Sequence, residues 1–412
     1  MKIFYGWHIV AAAVVIQLLV AGLLNQAFGV YVAVLSEEKG WSKTVLSGGA
    51  ALISLEAAFL GPLLGWLIDR FGTRALVQFG VCAFGLGFVA LSQIDSITGF
   101  YLSLFVIAVG SSLCGYFPLT VTVIRWFRRL RTRALSCLSL GVTLGGLLVP
   151  IVAWSMQVYG WRATAMASGV LSFAVGILLA RMIRRAPSEI GEIEDGSASS
   201  VLSQGAEVPG PQVDRDFSAA EAIRTPAFWF LGLGHGFALL LLAAVNVHAI
   251  SHIKESLGYS VAQASMVITL MTLAQGVGLL LGIVAGDRWN KRKVSAACML
   301  GHMVGVLMLT FAVHPIFLVG FAIFHGLSWG LRGPLMHAIR ADYFGVRAIG
   351  MILGVSAFIT SLGQVAGPLI AGALADLTGN YRAGFVTMAL IAGAGSVMFM
   401  LAKEPQQVRR IG

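Results

Sequence analysis

The sequence contains little charge. Only 11% of its 412 residues are Asp, Glu, Lys or Arg, whereas soluble domains contain about a quarter. Apolar residues make up 58% of the chain, which excludes a disordered protein. A water-soluble protein of this composition would expose large apolar patches. The remaining class is an all-α membrane protein that crosses the bilayer several times.

Cysteine is also scarce, and no cysteine has the spacing of a metal site or a redox pair. We therefore expect the cysteines to be small, buried, apolar side chains, and we predict no metal or cofactor. The four cysteines are Cys82, Cys114, Cys137 and Cys298. The first apolar stretch has no small-residue cleavage site after it, so we interpret it as a spanning helix rather than a removed signal peptide.

Twelve apolar segments are long enough to cross a bilayer, which needs about 20 helical residues. We number them spans 1 to 12. Their predicted boundaries are 7–35, 43–68, 75–93, 98–123, 134–158, 162–182, 226–250, 260–286, 294–313, 315–339, 346–373 and 382–402.

The distribution of basic residues predicts the orientation of the chain. With the N-terminus in the cytoplasm, 22 of the 28 Lys and Arg residues lie on the cytoplasmic side, five lie outside and Arg332 lies within span 10. Cytoplasmic loops are enriched in Lys and Arg, so both termini are predicted to be cytoplasmic. The same asymmetry explains the net charge of +10, and no nucleic-acid partner is expected.

One long segment is too polar to span a membrane. Residues 184–222 contain eight acidic residues together with Ser, Gly and Pro, which is typical of a linker. The predicted domains are an N-terminal six-helix bundle at 1–185, a cytoplasmic linker at 186–222 and a C-terminal six-helix bundle at 223–412.

The two halves repeat each other. The turn after span 2 contains an Asp-Arg pair followed by a further Arg, and the turn after span 8 contains an Asp-Arg pair followed by basic residues. Other residues recur at equivalent places, namely Pro118 and Pro334, Arg125 and Arg340, Arg133 and Arg347, Pro150 and Pro368, and Arg162 and Arg382. Parallel repeats of six helices suit two bundles that rock about a central site.

These features resemble the major facilitator superfamily over the whole chain. The main motif is Gly65-x-x-x-Asp69-Arg70-x-Gly72-x-Arg74, with a weaker copy at 282–292. Finer motifs resemble the monocarboxylate transporter and oxalate:formate antiporter group. They are Phe4-Tyr-Gly-Trp7, Gly40-Trp41-Ser42, Tyr159-Gly-Trp-Arg162, Asp342-Tyr-Phe-Gly345 with Gly350, and Gly367-Pro368 followed by Asp376-Leu-Thr-Gly379 and Tyr381-Arg382.

The resemblance implies two pseudo-symmetric six-helix bundles that carry a solute by alternating access. It also implies a conformational latch that stabilises an outward-open state. The latch residues would be Asp69, Arg70, Arg74, Asp287 and Arg288. One position departs from the group, whose members commonly bind a carboxylate through an arginine in span 8. That position is Gly278 in this sequence, so lactate-like recognition by that residue does not carry over.

Two ionisable residues lie within spans, where they are costly and therefore candidates for function. Glu56 precedes Asp69 by 13 residues and so lies ~20 Å along the helix from that turn. It is a candidate proton-coupling carboxylate; a structural carboxylate bonded to a neighbouring helix is the alternative. Arg332 lies ~12 Å before Arg340 and suits a substrate carboxylate. Its alternatives are snorkelling to the membrane surface and pairing with an acid or a helix C-terminus. Glu56 and Arg332 could pair when no substrate is bound.

Several polar and aromatic side chains at mid-depth are further candidates to line a cavity at the repeat interface. His325 and His235 are candidates to contact substrate or a proton, with packing as the alternative. His248 and His252 are expected to be solvated. The other candidates are Gln17, Asn25, Tyr116, Thr143, Gln275, Ser328, Trp329, Ser361 and Gln364. For each of them, hydrogen bonding between helices is the alternative role. Glycines four residues apart, such as Gly141/Gly145 and Gly363/Gly367, predict close helix approach.

The sequence thus favours a secondary active transporter of a small organic anion, monocarboxylate-like, with protons as a second partner. We expect a monomer in a bacterial inner membrane. Export of an amphipathic drug-like or neutral solute is the alternative. An enzyme or a membrane sensor is disfavoured because no nucleophile, base and orienting residue cluster, and no Gly-x-x-x-x-Gly-Lys-Ser/Thr motif is present. A channel is also disfavoured, because two duplicated halves suit a transporter that works by alternating access better than they suit a pore.

Overall fold

The structure is a computed structural model that describes residues 3–41, 43–196 and 216–405. These residues form helices joined by short turns, and no strand occurs among them. In the first half the helices are Tyr5–Val20, Ala21–Gln26 (a π-helix), Phe28–Lys39, Lys43–Phe71, Thr73–Leu91, Ile97–Cys114, Tyr116–Trp126, Arg131–Gly145 and Val149–Ala180. In the second half they are Ala219–Ile223, Pro226–Leu257, Val261–Ala285, Lys291–Thr310, Pro315–Phe344, Ile349–Thr378 and Arg382–Leu401.

The predicted number of spans is confirmed. Ten helical stretches of the described residues are long and apolar enough to cross a membrane. One of them, Arg131–Ala180, contains two spans, because Gly160 has φ +80° and ψ 159° and interrupts the helix. Helix Lys43–Phe71 supplies the remaining span. Only glycine adopts such a backbone conformation readily, so Gly160 lets spans 5 and 6 follow each other without a longer loop.

The chain divides into two compact units between Gln212 and Val213. The first contains spans 1 to 6 and the second contains spans 7 to 12. The predicted linker at 186–222 lies partly outside the described residues, so its limits and its cytoplasmic location stay predictions.

Small residues allow close helix packing inside each unit. In the first unit, span 3 packs against spans 4 and 6, and Gly85 and Gly169 lie against each other's carbonyl oxygens. In the second unit, span 7 packs against span 11, where Gly363 and Gly367 face backbone atoms of span 7. The close approach predicted for this glycine pair is therefore confirmed.

Two aspartates near the ends of the polar segment cap equivalent turns. The Asp195 carboxylate accepts hydrogen bonds of 2.6–3.3 Å from the backbone N–H groups of residues 128–130, just before span 5. Asp216 Oδ1 accepts from the N–H groups of residues 346 and 347 at 2.9 and 3.1 Å, just before span 11. Asp195 has φ 59°, a left-handed conformation in which no other non-glycine residue of the described chain is found. The internal repeat thus extends to how the polar segment is attached to each unit.

Candidate functional site

Glu56 lies inside the first unit, on span 2. Its side chain is only 7% exposed, and its Oε2 accepts a 2.9 Å hydrogen bond from Ser112 Oγ on span 4. Its Oε1 is buried and has no hydrogen-bond partner among the described residues. A buried carboxylate oxygen without a donor is costly when ionised. Ionisation of this side chain is therefore costly, and Ser112, which the sequence did not indicate, holds one of its oxygens.

Three of the predicted cavity residues lie where spans 1, 4 and 5 meet. Tyr116 Oη and Ser139 Oγ are 2.8 Å apart and link spans 4 and 5. Gln17 is buried on span 1, and its Oε1 has no hydrogen-bond partner among the described residues. The hydroxyl of Thr143 on span 5 is also unpartnered within the described chain. The nearby π-helix Ala21–Gln26, which contains the exposed Asn25, is a type of irregularity that is frequent at functional sites.

The predicted latch of the first unit centres on Asp69. Its Oδ1 is 2.8 Å from Arg125 Nη2, and its backbone oxygen accepts a 3.1 Å hydrogen bond from Arg185 Nη2. Arg70 instead lies over the ring of Trp66 at 5.2 Å, and Arg74 is exposed. Asp69 therefore joins the end of span 2 to the end of span 4 through its carboxylate, and to the residues that follow span 6 through its backbone oxygen.

The second unit contains a related ion pair with its charges exchanged. Lys291 Nζ, at the first residue of span 9, is 2.8 Å from Asp342 Oδ2 near the end of span 10. An open cavity of about 400 Å³, also lined by Arg292, Tyr343 and Glu404, lies beside this pair. The predicted latch residue Arg288 is exposed. In the first unit the acid is at the end of span 2 and the base at the end of span 4, whereas here the base is at the start of span 9 and the acid near the end of span 10.

Arg332 is the most unusual charge of the second unit. It is 1% exposed, and its Nε and Nη1 have no hydrogen-bond acceptor among the described residues. Snorkelling to the surface is therefore not observed. Arg340, equally buried, donates to the carbonyl oxygens of Met336 and Leu231 and to Ser356 Oγ at 2.8–3.2 Å. No Asp or Glu of the described part of this unit is buried, so the Arg332 guanidinium has no buried counter-ion there.

Two buried histidines face each other between spans 9 and 10. His302 Nδ1 and His325 Nδ1 are 3.2 Å apart, and both residues are fully buried. Sequence reasoning identified His325 but missed His302, although an ionisable residue in the middle of span 9 was itself a signal. The rings of His235 on span 7 and His337 on span 10 also approach, with centroids 6.3 Å apart.

The remaining predicted residues of the second unit differ in exposure. Ser328 is buried, Gln275, Trp329 and Ser361 are half-buried, and Gln364 is exposed. The expectation that His252 is solvated is wrong. His252 is 2% exposed, because its Nε2 lies 3.1 Å from the Leu309 carbonyl oxygen and its Nδ1 lies 3.1 Å from Ser256 Oγ. Half-buried His248 likewise pairs with the Pro368 carbonyl oxygen at 3.0 Å.

Gly278, where the similar group commonly has arginine, is a packing residue. A Cβ at this position would collide with the backbone carbonyl of Leu327 and lie 2.8 Å from Leu331 N on span 10. Two residues earlier on span 8, a Cβ at Gly276 would meet nothing within 4 Å. The two helices therefore leave no room for a side chain at Gly278. The predicted pairing of Glu56 with Arg332 stays a prediction, because the two residues lie in different units.

A multi-span helical protein with a repeated six-helix unit and buried charges within its spans has the character of a secondary transporter. The family model of the Major Facilitator Superfamily matches residues 14–247 and 232–412. The chain belongs to the major facilitator superfamily. It is an integral multi-pass membrane protein, and it is a secondary transporter of a small molecule, not an enzyme.

Individual relatives agree with this assignment. The chain is 25% identical over 404 residues to monocarboxylate transporter 13 of Bos taurus, which covers 95% of this chain and 88% of the relative. It is 25% identical over 348 residues to the oxalate:formate antiporter of Oxalobacter formigenes, covering 82% and 78% of the two chains. The fold is similar to the crystal structure of the fucose:proton symporter of E. coli, with a TM-score of 0.72, 16% identity, and coverage of 97% and 98%.

Proposed function

We propose that this transporter moves a small organic anion of the monocarboxylate type and that Arg332 binds its carboxylate. The observation that carries the proposal is the pair of unpartnered guanidinium N–H groups of Arg332 in a unit without a buried acid among its described residues. A buried guanidinium without an anion is expensive, and its planar fork matches a carboxylate. A substrate carboxylate would supply the missing acceptors.

The other candidate binding residues of this unit lie close to Arg332 in sequence. His325, Ser328 and Trp329 precede it by up to two helical turns on span 10, and long side chains on a helix point back toward its N-terminus. The guanidinium thus extends toward these three residues. Gln275 and Gln364 on spans 8 and 11, and Gln17 and Tyr116 in the first unit, complete the proposed binding set.

We further propose that Glu56 couples transport to protons. A buried carboxylate with one free oxygen is more stable when protonated, and it loses that proton when water or a cation reaches it. The proposed cycle is alternating access, with both termini cytoplasmic, in a monomer of a bacterial inner membrane. Asp69 and Arg125, together with Lys291 and Asp342, would set the rate of conformational exchange rather than the choice of substrate.

Transport into liposomes tests the anion assignment. Labelled formate, lactate, oxalate, glucose and a lipophilic cation would be offered to purified wild-type protein, Arg332→Gln and Arg332→Lys. Because a charged hydrogen bond contributes about 1.5–3 kcal/mol, Arg332→Gln should lower kcat/KM for the transported anion by about 10- to 150-fold. Arg224→Gln, which removes an exposed arginine of the same unit, is the matched control. Transport confined to glucose or the cation, or unchanged anion uptake in Arg332→Gln, would contradict the proposal.

The same liposomes test proton coupling. Glu56→Gln keeps an acceptor for Ser112 but removes the titratable proton. We expect it to lower uptake driven by a pH gradient while exchange of internal for external anion continues. Ser112→Ala, which removes the hydrogen bond but keeps the carboxylate, should retain gradient-driven uptake. Gradient-driven uptake at the wild-type rate in Glu56→Gln would exclude this role.

A further inference from the structure

His325 belongs to the proposed binding set, but its buried pairing with His302 on span 9 has no role in the function proposed above. His302 and His325 are 0% exposed, their ring centroids are 4.6 Å apart, and the planes are inclined at 65°. The contact joins the two Nδ1 atoms at 3.2 Å. Both Nε2 atoms are buried and without a hydrogen-bond partner among the described residues.

This geometry determines where the protons lie. A hydrogen bond between two Nδ1 atoms needs one donor and one acceptor, so one ring carries its proton on Nδ1 and the other ring carries it on Nε2. The neutral pair therefore presents one unpaired Nε2 lone pair and one unpaired Nε2–H group. An additional proton has one place to bind, the Nε2 lone pair of the ring whose Nδ1 donates.

Arg332 is the dominant charge near the pair. It lies seven residues after His325 on the same helical face, and its charge interacts with both histidines and with Cys298, one turn before His302. His235, His337 and Arg340 are the other ionisable groups that interact with Arg332 in this interior. The other helices packed on spans 9 and 10 place no further charge beside the pair. Span 8 has no ionisable side chain, span 11 has only the exposed Asp376 and span 12 has only Arg382, at its first residue. Span 7 also places His252 against the Leu309 carbonyl oxygen, seven residues after His302.

A second positive charge beside Arg332 is unfavourable unless an anion is present. A carboxylate bound to Arg332 neutralises that guanidinium and removes the repulsion that opposes protonation of the pair. Binding of the anion and binding of the proton then favour each other, and thermodynamic linkage requires that the effect is reciprocal.

We infer that His302 and His325 form a shared proton-binding site that takes up one proton from water when an anion binds to Arg332. This inference rests on the proposed function and deepens it, because it assigns to the second unit a proton site separate from Glu56. One monoanion and one proton enter together, so the net charge of the interior does not change. The ring whose Nδ1 donates holds the added proton, and the other ring positions it through the Nδ1 contact.

Anion binding to purified protein at several pH values tests this inference. The probes are formate, lactate and oxalate, and titration calorimetry in buffers of different ionisation enthalpy counts the protons taken up with each anion. In wild-type protein we expect close to one proton per anion and an affinity that rises, as pH falls, by up to about tenfold per pH unit.

The informative variant is the double substitution His302→Asn with His325→Asn. The Asn amide is attached to Cγ, as Nδ1 is, so two Asn side chains can keep a hydrogen bond at this contact but cannot take up a proton. The affinity of this double variant for the anion should change by less than about twofold across the same pH range. Glu56→Gln should keep the wild-type proton count, and His248→Asn, which alters a histidine away from the pair, is the matched control.

A purely structural role for the pair predicts a different result. The double Asn variant would then keep the proton count and the pH-dependent affinity, which would overturn the inference. Loss of proton uptake in Glu56→Gln but not in the double Asn variant would overturn it as well. Failure of the proposed function would give a third result. None of the three anions would then raise the melting temperature of the wild-type protein, and this inference would be refuted together with the proposed function.

Discussion

The packing of spans 8 and 10 leads to a sharp prediction about Gly278. A single methyl group at this position would collide with the Leu327 carbonyl oxygen of span 10. Helix backbones cannot yield as a flexible side chain can, so the two helices must separate. At Gly276, on the same helix, the same methyl group would meet nothing within 4 Å.

The magnitude follows from comparing the two alanine variants. Both substitutions gain about 1 kcal/mol of helix propensity, and both reduce the freedom of the unfolded chain equally, so these contributions cancel. What remains is the overpacking at Gly278, which typically costs about 1–3 kcal/mol. For a unit of about 200 residues, each kcal/mol corresponds to about 2–4 °C in melting temperature. Gly278→Ala should therefore melt about 2–12 °C below Gly276→Ala.

The assay is thermal unfolding of purified protein in detergent, with Gly330→Ala and Gly333→Ala as a second matched pair on span 10. A Cβ at Gly330 would collide with the Gln275 carbonyl oxygen, whereas one at Gly333 would meet nothing within 4 Å. Gly278→Arg, which introduces the arginine typical of the similar group, should be less stable than Gly278→Ala and should not restore transport to Arg332→Gln. Equal melting temperatures for Gly276→Ala and Gly278→Ala would refute the reasoning.

Three further predictions concern polar contacts outside the proposed binding site. The hydrogen bond and charge of Lys39 lower the pKa of exposed Asp95 below its ordinary value of 3.8, and a nearby arginine contributes less. The ionised Asp95 therefore stabilises the folded protein fully above pH 3.8, and this stabilisation is lost as the pH falls through the folded-state pKa. Asp95→Asn should flatten the dependence of melting temperature on pH at the acid end, and an unchanged curve would contradict this. Asp69→Asn leaves the nearly buried Arg125 without its carboxylate and should lower the free energy of unfolding by about 3 kcal/mol. Adding Arg125→Gln to this variant should cause a smaller loss than Arg125→Gln causes alone. Additive losses in this double-mutant cycle would argue against the ion pair. At Asp195, Asn keeps both an acceptor and tolerance of positive φ, Gly keeps only the latter and Ala keeps neither. The free energy of unfolding should therefore fall in the order Asp, Asn, Gly, Ala, by about 1–3 kcal/mol in total, and identical melting temperatures would rule out the cap.

The sequence could predict the spans because a bilayer imposes a simple rule. A helix must present about 20 apolar residues, and that requirement is local, so all twelve spans could be identified without knowing what they contact. The repeat could be found for a similar reason, since matching residues at 65–74 and 282–292 lie within short stretches. Glu56 and Arg332 were also identifiable, because an ionisable side chain in an apolar run stands out wherever it points.

The partners of those residues depended on the tertiary structure. Ser112 and Glu56 are 56 residues apart, and His302 and His325 are 23 apart on different helices, so no local pattern joins them. The same holds for the missing acceptors of Arg332, which become evident only once every neighbouring helix is in place. Hydropathy determines which segments enter the membrane, whereas the rotation of each helix about its axis determines which polar atoms meet. That rotation is set by close contacts such as those of Gly278 and Gly330, which involve two helices at once and which neither helix specifies alone.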